Sequence, residues 1–366
     1  MREKQVTGMW GSASLIITLI ITKALISTPS LFARNSASAG WIEVVISGLF
    51  DLFLLVIILK LASNYDNKDI IDISEAIFGK KGRYVTGIFS VIVFVISSAA
   101  VFRCFCELIR NTVLKGISYD DISFFVLVVS IVGAFSGLRV LLNSCGIVLP
   151  CILISIAVIA LVNFPRHSIT NIFPFLGSGV GDVIRNALFE NASFYEMGIV
   201  LFLIPYFGDK SSVKKICFTG LTASILVTSI ITLSYQLSVP YEVAGTFALP
   251  LYQMTRMIKA GTFFQRIEPL NVFVWGAAIY TYVSVGVRMS AYIYKKTFAL
   301  TRTKPLVFIF AYIVSMVALI PSSETSVERI YDFLMKYSYI AYPILPLLLL
   351  ICGAVFSKKR CNFEKA

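Results

Sequence analysis

Apolar runs long enough to cross a bilayer recur from one end of this chain to the other, and that repetition limits its fold more than any other feature. A helix crossing about 30 Å of hydrocarbon needs about 20 residues, since each adds about 1.5 Å. Ten stretches meet or approach that length, at 11–33, 41–61, 84–109, 120–137, 140–162, 190–207, 214–237, 266–291, 305–321 and 337–357. With 57% hydrophobic and 14% charged residues and a mean hydropathy of +0.84, the chain reads as an all-α polytopic membrane protein of ten transmembrane helices. A transmembrane β-barrel is excluded by runs such as Ser90 to Ala100, apolar at every position where a barrel strand alternates. The first run lacks a small-residue cleavage site followed by a soluble domain, so it is read as a retained helix.

The longest polar connections, 62–83, 163–189, 238–265 and 322–336, leave no room for a soluble domain, so residues 1–366 form one transmembrane unit. Its helices 1–5 cover about 11–162 and helices 6–10 about 190–357. Five is odd, so the second set of five enters the membrane from the opposite side, which is the geometry of a five-plus-five inverted-repeat transporter. Helices 1 and 6, the first of each half, are the places such folds interrupt to expose backbone groups at the midplane. Asp69 to Phe78, stopped by Gly79, reads as a short amphipathic helix on the cytoplasmic surface. Ala248 to Ala260 carries Leu251, Met254, Met257 and Ile258 at helical spacing and reads as a second one on the outer side, with packing against the membrane edge of the bundle as the other reading for both.

The net charge of +12 does not mark a nucleic-acid binder, because the basic residues sit in short connections between apolar runs. Clusters at Lys80, Lys81 and Arg83, at Lys210, Lys214 and Lys215, at Lys295, Lys296, Arg302 and Lys304, and at Lys358 to Arg360 all fall on the side of the amino terminus. The positive-inside rule then places both termini in the cytoplasm. Six of the seven cysteines lie within apolar runs, and His167 is the one histidine, so the set predicts neither disulfides nor a metal site. No phosphate loop, zinc-protease or nucleophile-elbow motif is present. The sequence therefore predicts neither an enzyme nor a bound cofactor.

A few intramembrane charges remain, and each costs free energy unless it is paired or functional. Lys23 lies in the middle of the first run, beside Thr22 and Ala24 and ahead of Ser27, Thr28 and Pro29, where a proline removes a backbone hydrogen bond and favours a break. Glu196 lies in the sixth run among Ser193, Phe194 and Gly198, with Pro205 beyond it. Asp51, in the second run, matches Lys23 in depth. A Lys23–Asp51 or a Lys23–Glu196 pair would neutralise the burial cost, and three roles stay open for Lys23: ligand to a substrate carboxylate, stand-in for a coupling cation, or buried structural partner. Lys23, Asp51 and Glu196 are the candidates for charge coupling. Arg103 and Glu107 sit four apart on one helix and pair with each other, and Arg288 completes the set near the end of the eighth run.

The stretch Leu249 to Ile258, followed by Gly261, Phe263, Phe264, Gln265, Arg266, Ile267 and Glu268 and then an apolar helix, resembles the B subunits of bacterial spore-germination receptors. Those proteins look like a branch of the amino acid, polyamine and organocation permease superfamily. Thr28–Pro29 ending helix 1, Asp72 to Gly79, the Asn171 to Pro174 tetrapeptide and Ser193 to Glu196 agree with that resemblance. It implies a LeuT-like five-plus-five fold in the inner membrane of an endospore, surrounded by membrane lipid, with a receptor A subunit and a lipoprotein C subunit as partners and a small, amino-acid-like germinant as ligand. The implied pocket lies between helices 1, 3, 6 and 8. Here it maps to Thr22, Lys23, Ala24 and Ser27, to Ser193, Phe194, Glu196 and Gly198, and to Phe102, Phe105 and Tyr282 as walls. Where the superfamily carries Gly-x-Gly in the helix 1 break, this chain has Thr22, Lys23 and Ala24. The alternative from another class is a proton- or cation-coupled amino-acid permease that moves its substrate.

Overall fold

A computed structural model describes residues 8–65, 68–189, 193–257, 268–321, 324–339 and 343–363. The chain segment 258–267, which carries much of the resemblance and the end of the expected Ala248–Ala260 helix, lies outside the described residues, as do Asn191 and Ala192. Every regular element among the described residues is helical. In chain order these are α1 (Met9–Ile26), α2 (Thr28–Ser36), α3 (Gly40–Ala62), α4 (Ile70–Thr112), α5 (Tyr119–Ser136), α6 (Leu138–Asn163), α7 (Val180–Phe189) and α8 (Val200–Leu203). They continue with α9 (Lys210–Ser238), α10 (Tyr241–Ala244), α11 (Pro250–Arg256), α12 (Glu268–Thr297), α13 (Lys304–Leu319), α14 (Glu324–Tyr339) and α15 (Leu345–Phe363).

Seven of the described helical segments are long and apolar enough to cross a membrane, and three further apolar segments, Tyr195–Tyr206, Lys304–Leu319 and Leu345–Ala354, are shorter. The 16 residues of α13 extend about 24 Å, less than the about 30 Å of a hydrocarbon core. The polar connections expected at 163–189 and 322–336 instead contain α7 and α14. Both are amphipathic and too polar to be read as spans. In α14, Val327 is buried and Leu334 packs on the core, a seven-residue spacing that keeps one face inward.

α1 is the axis of the bundle. Its residues from Ser12 to Ile26 are buried, because α9, α6 and α12 enclose it, as befits a helix apolar all round. It ends at Ser27, whose backbone (φ −144°, ψ −7°) leaves the helix, and α2 restarts at once with Pro29 in its first turn. A proline spares an N–H that a helix start leaves unused anyway, and its ring disturbs the turn immediately before it. The break therefore falls at Ser27 rather than one turn earlier. Thr22, Lys23 and Ala24, where glycines would mark the break in the superfamily, are regular helix, with Thr22 Oγ1 donating to Thr18 O at 2.6 Å.

The tightest helix pair is α4 with α12. A Cβ on Gly286 would lie 1.8 Å from Ser98 Oγ, and one on Gly87 1.8 Å from Thr297 Oγ1, so glycine lets the two backbones meet. The short helix expected at Asp69–Phe78 forms the start of α4, and the chain bends at Gly79 with φ 67°, a conformation glycine adopts without a Cβ clash. Ile70, Ile71 and Ile73 are buried against the bundle. Likewise Leu251 and Met254 of α11 join the protein core, so this stripe packs against the bundle.

The turn between α2 and α3 is held from outside. Gln236 of α9, fully buried, donates from Nε2 to Ala37 O at 2.7 Å and accepts from Trp41 N–H at 3.0 Å. Gln236→Leu is expected to strand both backbone groups and lower stability by about 2–4 kcal/mol, from about 1–3 for each orphaned group less partial relaxation. Thermal melting of the purified protein measures it, and an unchanged midpoint would mean water takes over both bonds.

Candidate functional site

Lys23 of α1 has 1% of its surface exposed, and its Nζ lies 2.6 Å from Glu196 Oε2, itself 5% exposed. Glu196 sits on a short 3-10 stretch, Tyr195–Ile199, that leads into α8 and a second 3-10 turn at Ile204–Tyr206. Tyr195 and Glu196, consecutive on that stretch, both reach Lys23. The Lys23 ammonium accordingly stands 3.7 Å from the centre of the Tyr195 ring, a cation–π contact strengthened by the absence of water. Tyr282 of α12 donates to Glu196 Oε1 at 3.1 Å and its hydroxyl is 3.4 Å from that of Tyr195. One ammonium, one carboxylate and two phenols thus tie α1, the 195–199 stretch and α12 together.

The second proposed partner, Asp51 of α3, is buried and acts on the Lys23 charge through space, while Glu196 makes the contact. Asp51 lines a small cavity of about 30 Å³ with Phe194, Tyr195 and Gly198. A cavity of about 20 Å³ on the other side is lined by Glu196, Tyr282, Ser97 and Ser98. Each is on the order of one or two waters. Among the remaining sequence candidates, Ala24 and Ser193 are buried and line neither cavity. Phe102 and Phe105 are also packed away from both, Phe105 lying 3.1 Å from where a Cβ on Gly276 would be. Ser27 stands apart from the charge pair, at the break, on a larger cavity of about 90 Å³. The candidates thus divide into a filled centre and an open end.

That open end carries the other intramembrane ion pair. Arg103 Nη2 is 2.7 Å from Glu107 Oε1, Arg110 Nη2 is 3.0 Å from Glu107 Oε2, and the Arg103 guanidinium lies 4.1 Å from the Tyr119 ring centre. Its four-residue spacing made the first of these contacts legible. At the opposite end, Asp69 caps α4 by accepting from Ile71 N–H at 3.1 Å and Asp72 N–H at 3.0 Å. It also accepts from Tyr292 OH at 3.0 Å and pairs with Lys296 of α12, whose Nζ lies 2.6 Å from Asp72 Oδ2 as well. Sequence reading missed this cluster, and it missed Tyr195. For Tyr195 a signal existed, an aromatic beside an intramembrane acid. For Lys296 and Asp69, more than 200 positions apart, there was none.

A family profile described as spore germination protein matches residues 11–327. The chain is 25% identical over 362 residues to spore germination protein YndE of Bacillus subtilis (strain 168), covering 96% of each. It is 23% identical over 354 residues to spore germination protein GerLB of Bacillus cereus, covering 95% of this chain and 93% of that one. Among solved structures, a substrate-bound, outward-open Na+-coupled sialic acid symporter superposes with a TM-score of 0.68 at 12% identity, over 96% of this chain and 89% of that one. Mhp1, a nucleobase-cation-symport-1 family transporter in a closed conformation with bromovinylhydantoin bound, gives 0.62 at 10% identity, over 96% and 90%. At such identities the likeness is one of fold, and the fold is that of a membrane transporter.

Proposed function

Because this chain belongs to the spore germination protein family, we propose that it is the membrane subunit of a germinant receptor, binding a small amino-acid-like germinant in a permease-type pocket and passing the signal to partner subunits. In this reading the spans are ten, arranged as two inverted sets of five, and residues 1–366 act as one domain. Both termini face the cytoplasm, the membrane is the spore inner membrane, and the partners are an A subunit and a lipoprotein C subunit.

The observation that carries the reading is the buried Lys23–Glu196 pair. It joins the helix next to the Ser27 break to the irregular 195–206 stretch, the two elements that move in transporters of this architecture. Separating them strands an ammonium and a carboxylate away from water, which is costly. A zwitterion offers each a new partner, carboxylate to Lys23 and amine to Glu196, and so favours the separated state. A ligand shifts such an equilibrium only by its differential affinity for the two states, and here the differential is the pair itself.

Spores lacking this chain are expected to lose the response to one germinant out of a panel of amino acids, nucleosides, sugars and salts, with wild type restoring it. Unchanged responses across the panel would overturn the receptor reading. A second reading, a cation-coupled permease, draws on the fold shared with two cation-coupled transporters. It requires labelled substrate to accumulate in vesicles carrying this chain alone, which the receptor reading does not.

A further inference from the structure

At the end of the bundle where α12 gives way to α13, three cations gather around the turn between α5 and α6. A Cβ on Gly137, which holds that turn with φ 100°, would lie 3.9 Å from Arg288 Nη2. Arg139, two residues on, is exposed, and Lys304, at the start of α13, holds its Nζ 4.8 Å from the centre of the Phe135 ring. The carboxylates that make ion pairs at this end are committed elsewhere, Asp69 and Asp72 to Lys296 and Glu75 to Arg83. Arg139, Arg288 and Lys304 have no carboxylate partner among the described residues. Arg288 is also half-buried in a helix long and apolar enough to cross a membrane, where a guanidinium with no counter-charge costs free energy.

An apolar strip leads away from these charges along α5 and α13. Phe135 and Phe308 are exposed, with ring centres 5.6 Å apart. One turn further from the charged end, Val132 and Tyr312 are more exposed still, each 61%. Cations at a helix end with an apolar strip below them match the two parts of a phospholipid. A free phosphate or a nucleotide would use the first part and leave the second bare.

We propose that this turn binds an anionic phospholipid whose headgroup carries no amine, phosphatidylglycerol being the simplest. The phosphodiester takes the Arg288 guanidinium, whose planar fork matches two phosphate oxygens, with Lys304 and Arg139 on its flanks. One acyl chain lies along Phe135, Phe308 and Tyr312. A headgroup with an ammonium brings a further cation to a place with no carboxylate to receive it, so the charge pattern selects the anionic lipid. The bound lipid ties the end of α12 to the start of α13 and to the α5–α6 turn. This site stands on the membrane-spanning fold and is independent of the germinant-receptor reading.

Quenching by brominated lipid reads the site locally. Full-length Phe308→Trp is reconstituted in phosphatidylcholine bilayers, and the emission of the three native tryptophans, measured in the wild type, is subtracted; Tyr312→Trp is the second probe. Brominated phosphatidylglycerol is expected to quench the added tryptophan at a mole fraction about tenfold lower than brominated phosphatidylcholine does, from about 1 kcal/mol per cation near the surface. In the same background Lys304→Gln should reduce that preference about fivefold, and Arg288→Gln should abolish it. Lys80→Gln with Lys81→Gln, a larger loss of charge from exposed positions on the same side, should leave it in place. Millimolar inorganic phosphate should not displace the lipid. Equal quenching by the two lipids overturns the proposal and leaves the three cations to an acidic segment of a partner chain. A preference that survives Arg288→Gln combined with Lys304→Gln overturns it as well, since the general charge of this side then holds the lipid, and displacement by phosphate overturns the lipid as ligand.

Discussion

Lys23→Ala is expected to deplete the protein from the membrane, and Lys23→Met combined with Glu196→Gln to bring it back. Lys23 and Glu196 are 1% and 5% exposed and 2.6 Å apart, both withdrawn from bulk water. Removing one partner leaves the other ionised in a medium that cannot solvate it, at a cost of about 3–5 kcal/mol. That is a large share of the about 5–15 kcal/mol that holds a typical domain together. Glu196 would keep the Tyr282 hydroxyl at 3.1 Å, one neutral donor in place of an ammonium. Replacing both charges by side chains of similar shape removes the penalty with the pair, so the double variant should be near neutral. Heating membranes and measuring the surviving monodisperse fraction by size exclusion gives the comparison. If Lys23→Ala melts with wild type, the charges are already reached by water and the pair is not the lock proposed. The double variant also separates structure from signalling, because it should fold and fail to respond to germinant if the pair is what the ligand opens.

Asp69→Ala is expected to cost about 2–4 kcal/mol, and Asp69→Asn much less. Asp69 is fully buried yet accepts from two backbone N–H groups, from Tyr292 and from Lys296. Alanine removes the cap of α4, worth about 0.5–2 kcal/mol, and leaves the Tyr292 hydroxyl without its acceptor, about 1–3 kcal/mol more. Asparagine caps as well as aspartate and carries no charge to desolvate. Burial, opposed by Lys296, holds the Asp69 carboxyl above the usual carboxylate range. The sign follows from linkage: folding favours the protonated form, so this contribution is complete below the unfolded carboxylate value and fades as pH rises through the raised folded one. The cost of Asp69→Asn should therefore shrink from acid to neutral pH. Melting midpoints at several pH values test it, and an asparagine variant as damaged as the alanine one would show that the ion pair with Lys296, not the cap, holds this end.

Local spacing made some of this readable. The Arg103–Glu107 contact follows from four positions on one helix, and the Gly79 bend follows from a glycine after an amphipathic stripe. Pro29 announced a break but not its place, since the ring acts on the turn it adjoins and the interruption falls at Ser27. α7 and α14 went unread because hydropathy finds helices that face lipid, and these two bury one face on protein. Phe102 and Phe105 have the composition of a pocket wall, and the packing of α4 on α12 turned them into core.

The sequence by itself determined that this is a helical membrane protein with charges it cannot leave in lipid, because the length of an apolar run and the cost of an unpaired ammonium are properties of residues and solvent alone. Only the tertiary structure decided that Lys23 meets Glu196 rather than Asp51, that Tyr195 covers the ammonium, that Lys296 reaches back to Asp69, and that open volume lies at Ser27 and not at the centre. Those are contacts between segments far apart in the chain. Which of several chemically adequate partners is taken depends on how the bundle packs, and no local pattern records it.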